Sequence, residues 1–207
     1  KSKFPKRMQC GPYDSEIRSL PKHMKPQALI RVGDGLEPIP IFTRPVHPDF
    51  IRPCEPEHIC SLLAKMPPEF LAGLRRICIL GGTAKQARAT NEQFFRFGCY
   101  RFDVAEIHLY AFPRGLLCEQ WSLFQNPRIA QKFHQWGAQL VNTKKGCELR
   151  MSAESVRCFY LYEVLLHELK YHVDREWTKN QERSEAFAKW LSTEQARRRY
   201  PTTGAEK

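Results

Sequence analysis

The chain reads as an α+β fold: a small, mostly antiparallel sheet, two helices at the C-terminal end, and an extended, proline-rich N-terminal arm. Three observations predict it. Prolines crowd residues 1–53, period-two segments fill the middle, and two long helical patterns close the chain. The 207 residues suit one domain with a real core, and 42% hydrophobic with 27% charged residues is an ordinary globular composition.

Each element follows from local chemistry. Pro5, Pro12, Pro21, Pro26, Pro38, Pro40, Pro45, Pro48 and Pro53 interrupt every helical pattern in the first segment, which is expected to be an arm with short strand-like pieces near residues 28–32 and 39–42. A helix starts near Pro56, where proline and Glu57 suit a first turn and Ile59, Leu62 and Leu63 share a face; Pro67 and Pro68 end it. Residues 76–80 are β-rich and stop at Gly81-Gly82. Residues 95–102 and 106–112 alternate as strands do, and 126–137 reads as a short helix. A hairpin is expected over 139–150, turning at Lys144-Lys145-Gly146. Ser152 caps a helix over 153–174, and a second runs over 180–199 before Tyr200-Pro201. The expected organisation is an arm (1–53), an α+β domain (54–200) and a loose tail (201–207).

Eight cysteines are scattered without a CxxC pair, several among apolar neighbours, as in Ile77-Cys78-Ile79. Reduced, buried thiols are the expectation, and with them an intracellular, cytoplasmic setting. No apolar run approaches the roughly 18 residues that span a bilayer, so no membrane partner is expected. The formal charge of +11 is concentrated at the ends, in residues 1–7 and Arg197-Arg198-Arg199. Such basic termini admit nucleic acid or acidic partners, though no nucleic-acid-binding signature accompanies them. The aromatics between Phe94 and Phe102 interleave with Arg96 and Arg101, as in a strand with one core face and one basic face.

The informative stretch is Leu161 to Asp174, where an apolar helix presents His167-Glu168-Leu169-Lys170-Tyr171-His172. It resembles the HExxH helix of the zincin metallopeptidases, and the following Ser184-Glu185-Ala186-Phe187-Ala188 resembles the helix that supplies their third ligand. The likeness covers roughly residues 76–191 and is specific only in the last two helices. It implies a zincin-like arrangement of those helices, bound zinc, and hydrolysis of peptide bonds. Glu168 would then be the general base, and His167 and Glu185 metal ligands. By the same resemblance an edge strand borders the cleft; 106–112 is that strand, which makes His108 and Tyr110 substrate-binding residues.

The motif departs from the family at one position. Tyr171 stands four residues after His167, where the second histidine belongs, and His172 comes one residue late. Residues four apart are offset by about 40° around a helix and residues five apart by about 140°, so His167 and His172 do not share an ion on a regular helix. Three readings stay open: a pseudoenzyme whose cleft holds a peptide or protein, a metal site rebuilt from His167, Glu185 and either Tyr171 or His172 as ligands, and a chance likeness. The runner-up from another class is a basic scaffold or nucleic-acid-associated binding module.

Overall fold

The computed structural model describes residues 24–32, 37–83, 97–114, 116–117, 131, 133–144, 146–174 and 184–191. The elements are β1 (Ala28–Ile30), β2 (Ile39–Thr43), β3 (Phe50–Ile51), α1 (Pro56–Leu63), a 3-10 turn (Pro68–Phe70), β4 (Arg76–Ile79), β5 (Gly98–Arg101), β6 (Glu106–Leu109), β7 (Phe112–Pro113), β8 (Leu116–Leu117), β9 (Gln139–Thr143) and β10 (Gly146–Arg150). They are followed by α2 (Ala153–Phe159), a π-helical stretch (Tyr160–Leu165) and α3 (Leu166–Asp174).

Five strands form the central sheet in the order β1-β2-β4-β6-β5. Its three inner strands are parallel to one another, and the edges β1 and β5 run antiparallel to their neighbours. The fold is thus α+β with a mixed central sheet, while antiparallel pairs outnumber parallel ones over all the sheets. The expected hairpin forms as β9 and β10, with β8 added to β10.

The arm expected over 1–53 is corrected for part of its length. β1 and β2 belong to the sheet, and β2 lies inside it, with Ile41 fully buried. Pro40 is tolerated there because pairing with β4 begins only at Ile41, so the missing N–H breaks no ladder bond on that side. Residues 1–23, the tail and much of the final helix lie outside the described residues.

Register defines the two faces of the sheet. Ile41, Ile77, Ile107 and Tyr100 form one row across it, and with Ile79 and Leu109 they join the main core beneath the helices. Phe42, Cys78, His108 and Cys99 form the adjacent row, which points the other way because alternate residues alternate faces. There Cys78, Leu80 and Tyr110 make a smaller apolar cluster with Phe42 and Cys99.

The expected helix over 153–174 is present and continuous. Ser152 caps it, its hydroxyl accepting the Ser155 N–H at 3.0 Å. The π turn at Tyr160–Leu165 advances the helix phase, so that Val164, Leu165 and Leu166 are all buried before a regular stripe resumes at Leu169 and Val173. Gly98 lets this helix lie close on β5. A Cβ there would stand 2.6 Å from Val164 Cγ1 and 3.0 Å from Glu168 Cγ. Helical residues 184–191 anchor through Phe187, whose ring meets Phe70 of the 3-10 turn at 5.3 Å.

Candidate functional site

The π turn precedes His167, so the helix from His167 to His172 is regular and their offset stands. His167 and Tyr171, one turn apart, are both exposed, with ring centroids 4.8 Å apart. Phe102, at the end of β5, joins them: its ring is 6.3 Å from Tyr171, and it is 53% exposed.

The other side of α3 faces the core. Glu168 is buried, and one carboxylate oxygen accepts the Tyr100 N–H at 2.8 Å. His172 is buried as well. Its Nδ1 lies 3.0 Å from the Tyr100 hydroxyl and its Nε2 3.1 Å from the Ala72 carbonyl oxygen. A carbonyl only accepts, so Nε2 carries a proton, and in the neutral ring Nδ1 accepts from Tyr100. Gly73, at φ +83, makes the left-handed turn that follows Ala72. Tyr100 sits on the edge strand β5, so Glu168 and His172 tie α3 to that edge by main-chain and side-chain bonds.

Several expectations are corrected by this arrangement. His172 is not free to ligate, because both ring nitrogens are engaged in the core. Glu168, the expected base, lies beneath Gly98 with its carboxylate on the strand. Glu185 is exposed on the helical residues 184–191. Among the described residues, His167, His172 and Glu185 do not form a group with ligating atoms mutually within 4.8 Å. Tyr171 is 43% exposed and packs on its aromatic neighbours. His108 and Tyr110 are not on an edge strand: β6 lies between β4 and β5, and they are 0% and 3% exposed. Alternation in 106–112 suggested a half-exposed strand, but both faces of β6 are covered.

His108 belongs instead to a cluster that sequence reasoning missed. Cys78 of β4 stands directly opposite it in register, and Glu106, two residues earlier on β6, shares its face. One ligating atom from each of Cys78, Glu106 and His108 lies within 4.8 Å of the other two, and all three residues are buried. This group could hold a metal ion. His108 Nε2 is 3.2 Å from Glu106 Oε2, and Arg76 donates to Glu106 Oε1 at 2.7 Å. Burial alone would raise the Glu106 carboxyl, but the hydrogen bonds from His108 and Arg76 and the charge of Arg76 outweigh it and hold it below its ordinary range. Burial pushes the Cys78 thiol up to about 12, so without a cation it is protonated at neutral pH. His108 Nδ1 is buried with no hydrogen-bond partner. The signal in the sequence was Glu-x-His on a strand facing a cysteine on a neighbouring strand, a spacing without a fixed motif.

A groove of about 290 Å³ between α1 and α2 is lined by His58, Glu154, Arg157, Cys158 and Tyr162. Its ligating atoms do not converge as those of the buried cluster do. The described cysteines 54, 60, 78, 99, 147 and 158 form no disulfide with one another. No described helix is long and apolar enough to cross a membrane. No protein-family model, no curated protein and no solved structure matches this chain.

Proposed function

We propose that the chain is a zincin-like protein that has lost the peptidase ligand set and binds a polypeptide rather than cutting it. The single observation that carries this reading is the engagement of His172: its two nitrogens bond Tyr100 and Ala72, and the position one turn after His167 holds Tyr171. Glu168 likewise serves the edge strand, its carboxylate accepting the Tyr100 N–H rather than standing open beside His167.

The exposed aromatic strip of His167, Tyr171 and Phe102 supports a binding role, because aromatic side chains supply large contact area at low entropic cost. Lys170 is exposed beside Tyr171, and the chain carries a formal charge of +11, so the partner that fits is acidic. Glu168 occupies the Tyr100 N–H that an added strand would use, so the partner docks by side chains at this point rather than by extending the sheet.

The test has two arms. Zinc-loaded protein is incubated with a degenerate peptide mixture, and no cleavage is expected; cleavage abolished by Glu168→Gln contradicts the reading. An acidic, aromatic-containing peptide library is then screened for binding. Tyr171→Ser and Phe102→Ser each weaken the recovered binders by about tenfold, as loss of an interface anchor does. Equal affinity of both variants, or displacement of the peptides by single-stranded oligonucleotide, contradicts it in favour of a nucleic-acid module.

A further inference from the structure

We propose that the buried face of the sheet holds a structural zinc ion between Cys78, Glu106 and His108, with Cys99 closing the ligand set. This site lies on the opposite side of the sheet from α3 and does not depend on the binding role of the aromatic strip.

The geometry comes first. Tetrahedral zinc, with sulfur at about 2.3 Å and nitrogen or oxygen at about 2.0–2.1 Å, sets its ligand atoms about 3.3–3.6 Å apart. The three atoms here already lie within 4.8 Å of one another, so side-chain adjustment of a fraction of an ångström to about one ångström brings them to an ion. A thiolate, an imidazole and a carboxylate make a donor set that suits zinc better than calcium or magnesium, which take oxygen. The cluster is also set on three neighbouring strands of one sheet, a rigid frame of the kind that holds a metal in a fixed geometry.

The imidazole and the carboxylate give the second observation. His108 is fully buried, and its Nε2 stands 3.2 Å from Glu106 Oε2, close to the separation of two ligand atoms on one tetrahedral zinc, so the ion takes the place of the proton between them and the ring proton moves to Nδ1. Arg76 holds the other oxygen of Glu106 and orients the carboxylate toward the ion.

Charge decides the fourth ligand. A divalent ion with the Cys78 thiolate, the Glu106 carboxylate and the Arg76 guanidinium leaves the buried cluster with one net positive charge, which is costly there. One more thiolate makes it neutral. Cys99 stands opposite His108 on its other side, on the same face, and is only partly buried. Its thiol now rests 3.7 Å from the Tyr100 carbonyl oxygen, outside the convergent group, so closing the set requires a rotamer change toward His108. Cys99 is also the route of entry, since Cys78 and His108 are sealed from solvent. On binding, both thiols release their protons to solvent and the sulfurs bond the ion.

The test loads the full chain with one equivalent of cobalt(II) and then with zinc. The expected result is sulfur-to-cobalt charge-transfer bands with intense tetrahedral ligand-field bands, bleached by zinc. The bands are unchanged in His167→Ala, lost in Cys78→Ser and in His108→Asn, and reduced to roughly half their charge-transfer intensity in Cys99→Ser, where one of two thiolates is gone. Absence of bands in the unmodified chain overturns the proposal. So does their survival in Cys78→Ser, or their loss in His167→Ala, which would move the ion to α3. Should the core variants fail to fold, the unmodified chain still decides. Zinc at about 100 Kd raises its Tm by about 5–11 °C and shields the partly buried Cys99 thiol from alkylation, whereas a Tm and a Cys99 reactivity indifferent to zinc overturn the site.

Discussion

Replacing Glu168 separates a structural carboxylate from a catalytic one. The side chain is buried, accepts the Tyr100 N–H at 2.8 Å, and places its Cγ where a Cβ on Gly98 would be only 3.0 Å away. Glu168→Ala removes a hydrogen bond to a charged acceptor, of the order of 1.5–3 kcal/mol, and leaves a main-chain N–H at the sheet edge without this partner. Allowing for partial access of water to that edge, the expected loss is about 2–4 kcal/mol. Glu168→Gln keeps an amide oxygen that accepts the same N–H and fills the same space, so its loss is about 1 kcal/mol or less. Urea unfolding followed by tryptophan fluorescence measures both, with unchanged m values as the control. For a chain of this size each kcal/mol moves Tm by about 2–4 °C, which gives an independent check. Amide exchange at Tyr100 should accelerate in the alanine variant and stay slow in the glutamine variant. Equal stability of the two variants within about 0.5 kcal/mol, or a glutamine variant worse than alanine, refutes the reasoning. A catalytic base behaves in the opposite way: its glutamine variant folds normally and fails only in turnover.

Further predictions concern the same frame. Gly98→Ala forces a Cβ to within 2.6 Å of Val164 Cγ1 and should cost about 1–3 kcal/mol by chemical unfolding, with Val164→Ala in the same chain recovering part of it; an unaffected midpoint contradicts the close packing of α3 on β5. Burial raises the Cys54 thiol from 9.0 to about 12, so the unfolded thiol ionises first as pH climbs. Stability is therefore whole below pH 9 and falls by up to about 1.4 kcal/mol per pH unit between 9 and 12, a slope that Cys54→Ala reduces. Glu106 has the opposite sign: its carboxyl is held below its ordinary 4.5, so its contribution is present above that pH and is lost as pH falls through the folded value. Glu106→Gln should flatten that acid slope and, by leaving Arg76 without its carboxylate, cost about 3 kcal/mol at neutral pH; equal acid slopes in the two chains contradict the pairing.

What was legible in the sequence was local. The start of the 153–174 helix followed from the Ser152 cap, and the 139–150 hairpin from the Lys144-Lys145-Gly146 turn between two strand-like pieces. The strands at 28–30 and 39–43 were readable, but not that β2 would enter the sheet beside β4, because parallel pairing joins segments with no turn between them. The same limit hid the sites. His172 meets Ala72 a hundred residues away, and nothing in the letters around either residue records it. Glu106 and His108 read as an alternating strand, whereas the partner that gives them chemical meaning, Cys78, is supplied by register with β4. The metallopeptidase likeness rested on the letters of one helix, and packing turns its Glu168 and His172 toward β5.

The most direct test of this account is nitrogen-15 NMR of the histidine side chains, recorded as zinc is added to the full chain. The two ring nitrogens of His172 are expected to stay where their bonds to Tyr100 and Ala72 hold them, unmoved by the ion. Zinc-induced shifts at His167 and His172 together would show a shared ion on α3 and contradict it.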